Sequence, residues 1–371
     1  MASTSAPIPL AVVGAGRVAY AAHIPLTCKL PRDFRLVAIV EADPARAAAA
    51  AERHPDVTVG TDLECAVRSG ARAIICATPW PSHSEVVVSA LKEDMAVLCE
   101  KPVSLDAADI DRMRECEQAA GHQVAVGYMK RHDPAVRAFM ELVRAEQASL
   151  RSLTVTVLDP NAPHQLAHLV PADLAVSSTA SGDAVQRIVN SILGPHVTPS
   201  VRTAFMHPLG GSLVHQINIV RMALEAGGVH LAGTLEHATE WMEGRAVRCS
   251  WLPSPSLSVH MTYVRVSEHL SYHEEIQMVT DRSRITLRLP SPYQASAGTL
   301  LVTRFSGDST VRERRTWAPG HRYQGFYRQL VHWGESLRTR EGPPLPGLAE
   351  AAADLRLINE AVAHLAARPC R

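Results

Sequence analysis

The first third of the chain alternates short apolar runs with amphipathic stretches, and that alternation leaves few folds open. Leu10–Val13, Phe34–Val40, Ala73–Ala77, Ala96–Cys99 and Gln123–Val126 have the character of buried strands. Between them lie an Ala-rich stretch after Gly16, a segment opened by Asp43 and Pro44, the pattern His83–Lys92 and the amphipathic span 106–120. Strand, helix, strand at this cadence predicts parallel pairing with helices on both faces, a doubly wound α/β sheet. Asp43 can cap its helix, with proline at the first helical position.

After residue 126 the texture changes. A helix is predicted over 134–147, then an alternating strand at Ser152–Leu158. Residues 160–209 are rich in Pro, His, Ser and Ala, with one helical pattern at Asp183–Leu193, and a helix follows over 212–226. Alternating strands recur near 229–237, 245–252, 257–266, 274–280, 283–289, 299–305 and 309–317, and two helices close the chain within 323–366. This pattern predicts an α+β domain built on a large, mostly antiparallel open sheet. A chain of 371 residues exceeds one ordinary core. The expected division is a doubly wound domain over 1–126 and an α+β domain over 127–371, with 160–209 as a variable loop over a substrate pocket.

Composition excludes several classes. Lys+Arg and Asp+Glu are both 37, so no basic excess points to nucleic acid. The apolar runs stop short of a membrane span, and the first residues lack the basic and apolar regions of a secretory leader. Seven cysteines, an odd number with no C-x-x-C pair, predict neither a disulfide framework nor a thiolate zinc site. A reducing, cytoplasmic setting is expected. Lysine occurs only at 29, 92, 101 and 130, so each lysine stands in a chain that otherwise favours arginine.

The run Gly14-Ala15-Gly16-Arg17-Val18-Ala19 follows the first strand and opens a helix. It fits G-x-G-x-x-G/A. The first glycine permits a tight turn, the second lets the backbone approach a pyrophosphate, and the small third residue lets helix and strand pack closely. Helix N-terminal amides then favour the anion. Glu41 ends the second strand, where a carboxylate accepts both ribose hydroxyls and repels a 2′-phosphate. Together they predict dinucleotide binding through Gly14, Gly16, Arg17, Val18 and Glu41, with NAD expected over NADP. Arg17 or Arg46 could instead serve a phosphate. The bland alternative is a ligand-free strand-to-helix turn with Glu41 in solvent.

The third strand runs into Thr78-Pro79-Trp80-Pro81-Ser82-His83 and the fourth into Glu100-Lys101-Pro102. Both are carboxyl ends of parallel strands, where such sheets bind ligands. A lysine there can polarise a ketone oxygen or pass a proton to an alkoxide, and desolvation brings its pKa toward neutrality as arginine's cannot be brought. Spacing alone leaves a surface lysine equally open.

These motifs resemble the glucose–fructose oxidoreductase, inositol dehydrogenase and rhizopine-catabolism (Gfo/Idh/MocA) oxidoreductases. The similarity is carried by Gly14-x-Gly16-x-x-Ala19 with His23-Ile24-Pro25, Ala42-Asp43-Pro44, Ala77-Thr78-Pro79 with His83, Glu100-Lys101-Pro102, and Val126-Gly127-Tyr128 with Arg131 and Pro134. A later Gly210-Gly211-Ser212-Leu213 before a helix also matches. The resemblance is strong over residues 8–135 and looser beyond. It implies a Rossmann domain, a second domain whose open sheet joins copies into a dimer or tetramer, and hydride transfer at a secondary alcohol or ketone of a sugar or cyclitol. Substrate would enter between the domains. The resemblance also implies that Thr78, Pro79, His83, Glu100 and Lys101 line the cofactor and substrate side, with a cis candidate before Pro102.

Family members carry an aspartate, a catalytic histidine four residues on, and a second aspartate three beyond. Aligned on Arg221, this chain offers Gly211, His215 and Asn218. The resemblance thus makes His215 an acid/base partner of Lys101 while both carboxylates are missing. Tyr128, His164 and Asn218 are further candidates for contact with substrate. His164 and His168 have i, i+4 spacing but lack the glutamate of H-E-x-x-H, so no metal is expected. Two other functions stay open: a redox-neutral epimerase or eliminase that keeps its NAD, and an NAD-binding regulatory subunit without turnover.

Overall fold

The computed structural model describes residues 6–160, 165, 169–171, 180–266, 271–294, 298–306, 309–317, 324–339 and 345–367. Chain contacts divide it into two units. One holds Met1–Met129, Leu166–Val185 and Phe326–Ala352, and the other holds Lys130–Gln165, Gln186–Gly325 and Ala353–Arg371.

The first unit contains six parallel strands: β1 (Ile8–Val13), β2 (Phe34–Val40), β3 (Thr58–Gly60), β4 (Ala73–Cys76), β5 (Ala96–Cys99) and β6 (Ala125–Val126). Their order is β3-β2-β1-β4-β5-β6. Connecting helices are α1 (Ile24–Lys29), α2 (Pro44–Arg53), α3 (Leu63–Arg68), α4 (His83–Lys92) and α5 (Ala107–Ala120). Residues Leu10–Val12 and Ile74–Cys76 are all 0% exposed. That is why the strands read as unbroken apolar runs: both faces of the sheet are covered. Aspartates set the helix starts, Asp43 accepting from Arg46 N at 3.0 Å and Asp106 from Ala108 N at 3.0 Å. The strand order reverses between β1 and β4, so the crevice for a ligand opens at their carboxyl ends.

Two elements escape the pattern. β3 has three residues at the sheet edge, and α3 is a short helix capped by Asp62, which accepts from Cys65 N. The expected fifth strand, 123–126, shrinks to Ala125–Val126 because the Val124 amide is taken by the Glu117 carboxylate at 2.6 Å.

The second unit begins with α6 (Pro134–Glu146) and is organised on one eight-stranded sheet. Its strands are β7 (Leu150–Asp159), β8 (Leu235–Trp241), β9 (Ala246–Ser254), β10 (Leu257–Arg265), β11 (His273–Thr280), β12 (Ser283–Leu289), β13 (Thr299–Ser306) and β14 (Ser309–Thr316). They lie in the order β14-β13-β12-β11-β7-β10-β9-β8. Only β7 and β10 pair in parallel; the other neighbours are antiparallel. Leu153, Val155 and Val157 of β7 are 0% exposed while Thr154 and Thr156 are half-buried, the alternation of a sheet with one covered face.

The strand expected near 229–237 begins instead at Leu235, because Gly228 (φ +80°) and Gly233 (φ +78°) turn the chain just before it. Within the expected loop over 160–209 the described residues are largely helical. That stretch contains α7 (Ala180–Leu193), then α8 (Pro199–Ala204), whose Thr198 cap and first-turn proline are ordinary start signals. A π-helix over Phe205–Leu213 runs directly into α9 (Val214–Glu225). The chain closes with α10 (Gln324–Thr339) and α11 (Leu348–Ala366). No helix among the described residues is long and apolar enough to cross a membrane.

Leu153→Ala on the covered face of β7 is expected to cost about 2–5 kcal/mol, the usual loss for a core leucine. Thr154→Ala, on the opposite face, should cost under about 1 kcal/mol. Urea unfolding of both variants checks this, and equal losses would contradict the assignment of faces.

Candidate functional site

The crest of the six-stranded sheet is assembled by residues just past the strand ends. Gly14 leaves β1 with φ +93° and donates its amide to Val40 O at 2.7 Å. A Cβ at Gly14 would stand 2.7 Å from both Ala77 C and Thr78 N. The β1 turn and the end of β4 therefore approach more closely than any side chain permits.

Glu41, at the end of β2, turns back onto this loop. Its Oε2 accepts from Ala15 N at 3.0 Å and its Oε1 from Asp43 N at 3.2 Å. Arg46 completes the link, its Nη2 donating to Ala15 O at 3.0 Å and lying 3.6 Å from Glu41 Oε2. A cavity of about 810 Å³ opens here, lined by Gly14, Gly16, Arg17, Glu41, Thr78 and Pro79 among others. Six sequence-nominated residues thus share one wall. Val18, His83, Glu100 and Lys101 lie outside the lining; Val18 immediately precedes a π-helix over Ala19–His23.

His83 is 1% exposed and braces two crest loops. Its Nε2 lies 2.8 Å from Thr78 O, and its Nδ1 lies 3.0 Å from Pro102 O and 3.1 Å from Val103 O. The Lys101–Pro102 peptide is cis, as the resemblance implied.

Glu100 is 6% exposed and works as a hub. Oε1 accepts from His23 Nε2 at 2.8 Å and Oε2 accepts from the Lys101 amide at 3.1 Å. Burial pushes the carboxyl up, but the hydrogen bond and charge of His23, then Lys101, outweigh it and hold Glu100 below its ordinary range. A Cβ at Gly127 would come within 3.1 Å of the Glu100 Cα, so glycine is what lets the β6 end pass. Lys101 itself is half-buried. Tyr128, past β6, is 2% exposed.

In the second unit His215 is the second residue of α9 and is 6% exposed. Four residues earlier, Gly211 lies in the π-helix, where an added Cβ would meet Met206 O at 3.1 Å. Asn218 is fully buried and donates from Nδ2 to Asp354 Oδ2 at 2.7 Å, while Arg221 Nε donates to Asp354 Oδ1 at 2.7 Å. A carboxylate of α11 thus stands against both Asn218 and Arg221. A second buried cluster follows: Gln216 Nε2 donates to Glu274 Oε1 at 2.6 Å, and Glu274 also pairs with Lys130 and with the Tyr272 hydroxyl at 2.5 Å. Burial first, then the Glu274 charge, pushes the Tyr272 phenol well up. Sequence reading missed Asp354, Glu274 and Tyr272, since nothing local marks partners that lie far away in the chain. The scarcity of lysine was the one available signal for Lys130. His164 and His168 lie outside the described residues.

A crest of this kind, at the carboxyl ends of a doubly wound parallel sheet, is that of a Rossmann fold. Residues 8–128 match the model of an oxidoreductase family with an NAD-binding Rossmann fold, GFO_IDH_MocA. An inositol 2-dehydrogenase of Arthrobacter sp. (strain FB24) is 35% identical over 137 residues, 36% of this chain and 40% of that one. That of Corynebacterium glutamicum (strain R) is 37% identical over 139 residues, 37% of this chain and 41% of that one. The similar stretch thus spans about two fifths of these relatives. The fold is similar over far more of the chain. A 3-ketoreductase from Actinomadura kijaniata, solved with NADP and TDP-benzene, has TM-score 0.70 at 16% identity, covering 97% of this chain and 98% of that one. A Gfo/Idh/MocA family oxidoreductase from Vibrio cholerae has TM-score 0.65 at 17% identity, covering 96% of each.

Gly14→Ala is expected to cost about 1–3 kcal/mol, the price of a forced backbone at a crowded turn. Gly16→Ala, whose Cβ would meet only Arg46 Nη2 at 3.9 Å, should be near neutral in a thermal melt. The Glu100 carboxyl is lowered by folding, so its contribution is full above the unfolded value near 4.3 and is lost as pH falls through the lower folded value. Glu100→Gln should therefore destabilise by about 1.5–3 kcal/mol at pH 7. The gap between denaturant titrations of the two proteins should narrow progressively as pH falls below about 4; a constant gap would contradict an ionised hub.

Proposed function

We propose that the chain is an NAD-dependent oxidoreductase that moves a hydride between nicotinamide and a secondary alcohol or ketone of a cyclitol or sugar. The single observation that carries this reading is the crest cavity, in which the glycine turn, Glu41 and the β4 end face one space. The fit to a dinucleotide rests on a turn that a Cβ would fill and on a carboxylate whose side chain is 11% exposed beside it. Backbone amides of the 14–19 turn would receive the pyrophosphate, and Glu41 would accept the ribose hydroxyls. Arg46 is already engaged with Ala15 O, so a 2′-phosphate would meet the Glu41 carboxylate first; this favours NAD over NADP.

When bound, NAD supplies the hydride acceptor, and the chain's own groups handle the proton. Lys101 is the group we assign to the reacting oxygen: its amine polarises a carbonyl or takes the hydroxyl proton. The Glu100 hub holds the Lys101 main chain, fixing where that side chain starts. His215 is assigned as the second acid/base group, an imidazole being able both to take and to give a proton. The similarity of the first domain to inositol 2-dehydrogenases supports a cyclitol.

The test is absorbance at the NADH band with NAD and a panel of myo-inositol, other cyclitols and hexoses. One substrate class should give turnover, and Lys101→Ala should lower kcat by about 10²–10⁴. Undiminished turnover in Lys101→Ala would remove its assigned role. Failure of either pyridine nucleotide to bind at millimolar concentration would remove the whole reading.

A further inference from the structure

Beneath the crest lies a group of side chains that hydride transfer does not use. Cys76 ends β4 and Cys99 ends β5, and the two are paired residues of adjacent parallel strands. Both are 0% exposed, and their sulfurs and a ring nitrogen of His83 lie within 4.8 Å of one another. Parallel neighbours run about 4.8 Å apart, inside the roughly 4.4–6.8 Å that a disulfide spans between Cα atoms. Cys76 Sγ also lies 3.5 Å from the Thr78 hydroxyl, and Thr78 is on the wall of the crest cavity. This sulfur therefore touches a side chain that lines the open space.

We propose that Cys76 and Cys99 are a redox couple, a cysteine modification site that closes to a disulfide between β4 and β5 on exposure to hydrogen peroxide. The Cys76 thiolate attacks one peroxide oxygen, the O–O bond breaks, and the departing hydroxide takes a proton to become water. Cys99 then attacks the Cys76 sulfenic sulfur; the S–S bond forms, the S–O bond breaks, and the thiol proton leaves in a second water. Sulfur is oxidised and peroxide reduced, and a dithiol reverses the cross-link.

Surroundings separate Cys76 from inert buried thiols, while burial, then Cys76 and the Glu100 charge, push the Cys99 thiol well up. Burial pushes Cys76 up, but hydrogen bonds from Cys99 and Thr78 and the charge of His83 reverse it and bring the thiol down to about 6. Cys249 is equally buried without such donors and is pushed up to about 12. A metal ion is disfavoured at the same place because both His83 nitrogens already face backbone carbonyls. The cross-link would join the strand end that carries Thr78 to the one that carries Glu100 and Lys101.

The test treats the reduced full-length protein with a few equivalents of peroxide, blocks residual thiols and maps the peptides by mass. A pair joined through Cys76 and Cys99, lighter by two hydrogens and released by dithiothreitol, is the expected result. It should survive Cys28→Ser, which removes an exposed thiol, and vanish in Cys76→Ser. Oxidation confined to Cys28, Cys76 stopping at sulfinic acid, or stoichiometric zinc retained by the pair would each overturn the proposal. The wild-type map stands even where a variant fails to fold, and its readout is independent of the oxidoreductase reading.

Discussion

The approach of Gly14 to the end of β4 is the contact on which the crest depends. With a Cβ at position 14, Ala77 and Thr78 would be displaced, and they carry one wall of the cavity. The Gly14 amide is also the one that reaches Val40 O, at the point where β2 passes into Glu41. One missing side chain thus joins three strand ends. Glu41 then ties the turn down a second time through Ala15, and Arg46 a third time through the Ala15 carbonyl. The turn is fixed by hydrogen bonds made before any ligand arrives, which reduces the ordering that binding must supply.

Glu100 does the corresponding job at the next strand. A buried carboxylate is costly unless its oxygens are satisfied, and here one oxygen takes His23 while the other takes the amide of Lys101. His83 holds the far side of the same loop through Pro102 and Val103. The residue assigned to chemistry is therefore the half-exposed tip of a segment whose main chain is held from two directions. In the other unit a comparable substitution of partners operates. Asn218 cannot carry charge, but it hydrogen-bonds Asp354, which also engages Arg221, so the helix that bears His215 retains a buried carboxylate beside it.

Much of the first unit was legible because its signals are local. Phe34–Val40, His83–Lys92 and Ala96–Cys99 appear with the bounds their apolar pattern gives, and Asp43 and Asp106 cap the helices they precede. Alternation likewise marks β7 and β12. What stayed hidden depends on distance or on brevity. β3 is too short to carry a pattern, and the π-helix at Phe205–Leu213 contains Pro208 and two glycines, which read as a loop. Glu41 and Lys101 could be nominated from strand ends, but Asp354 lies 136 residues from Asn218 and Glu274 lies 144 from Lys130, so no spacing rule finds them. The motif residues were visible; the groups that hold them in place were not.

The central claim is that a dinucleotide lies on the Gly14 turn with its redox ring toward Lys101. The most direct measurement is an experimental structure of the protein crystallised with NAD. The account predicts pyrophosphate density against the amides of residues 14–19, ribose hydroxyls within hydrogen-bond distance of Glu41, and the nicotinamide beside the Lys101 amine. Nucleotide density elsewhere on the molecule, or a nicotinamide remote from that amine, would contradict it.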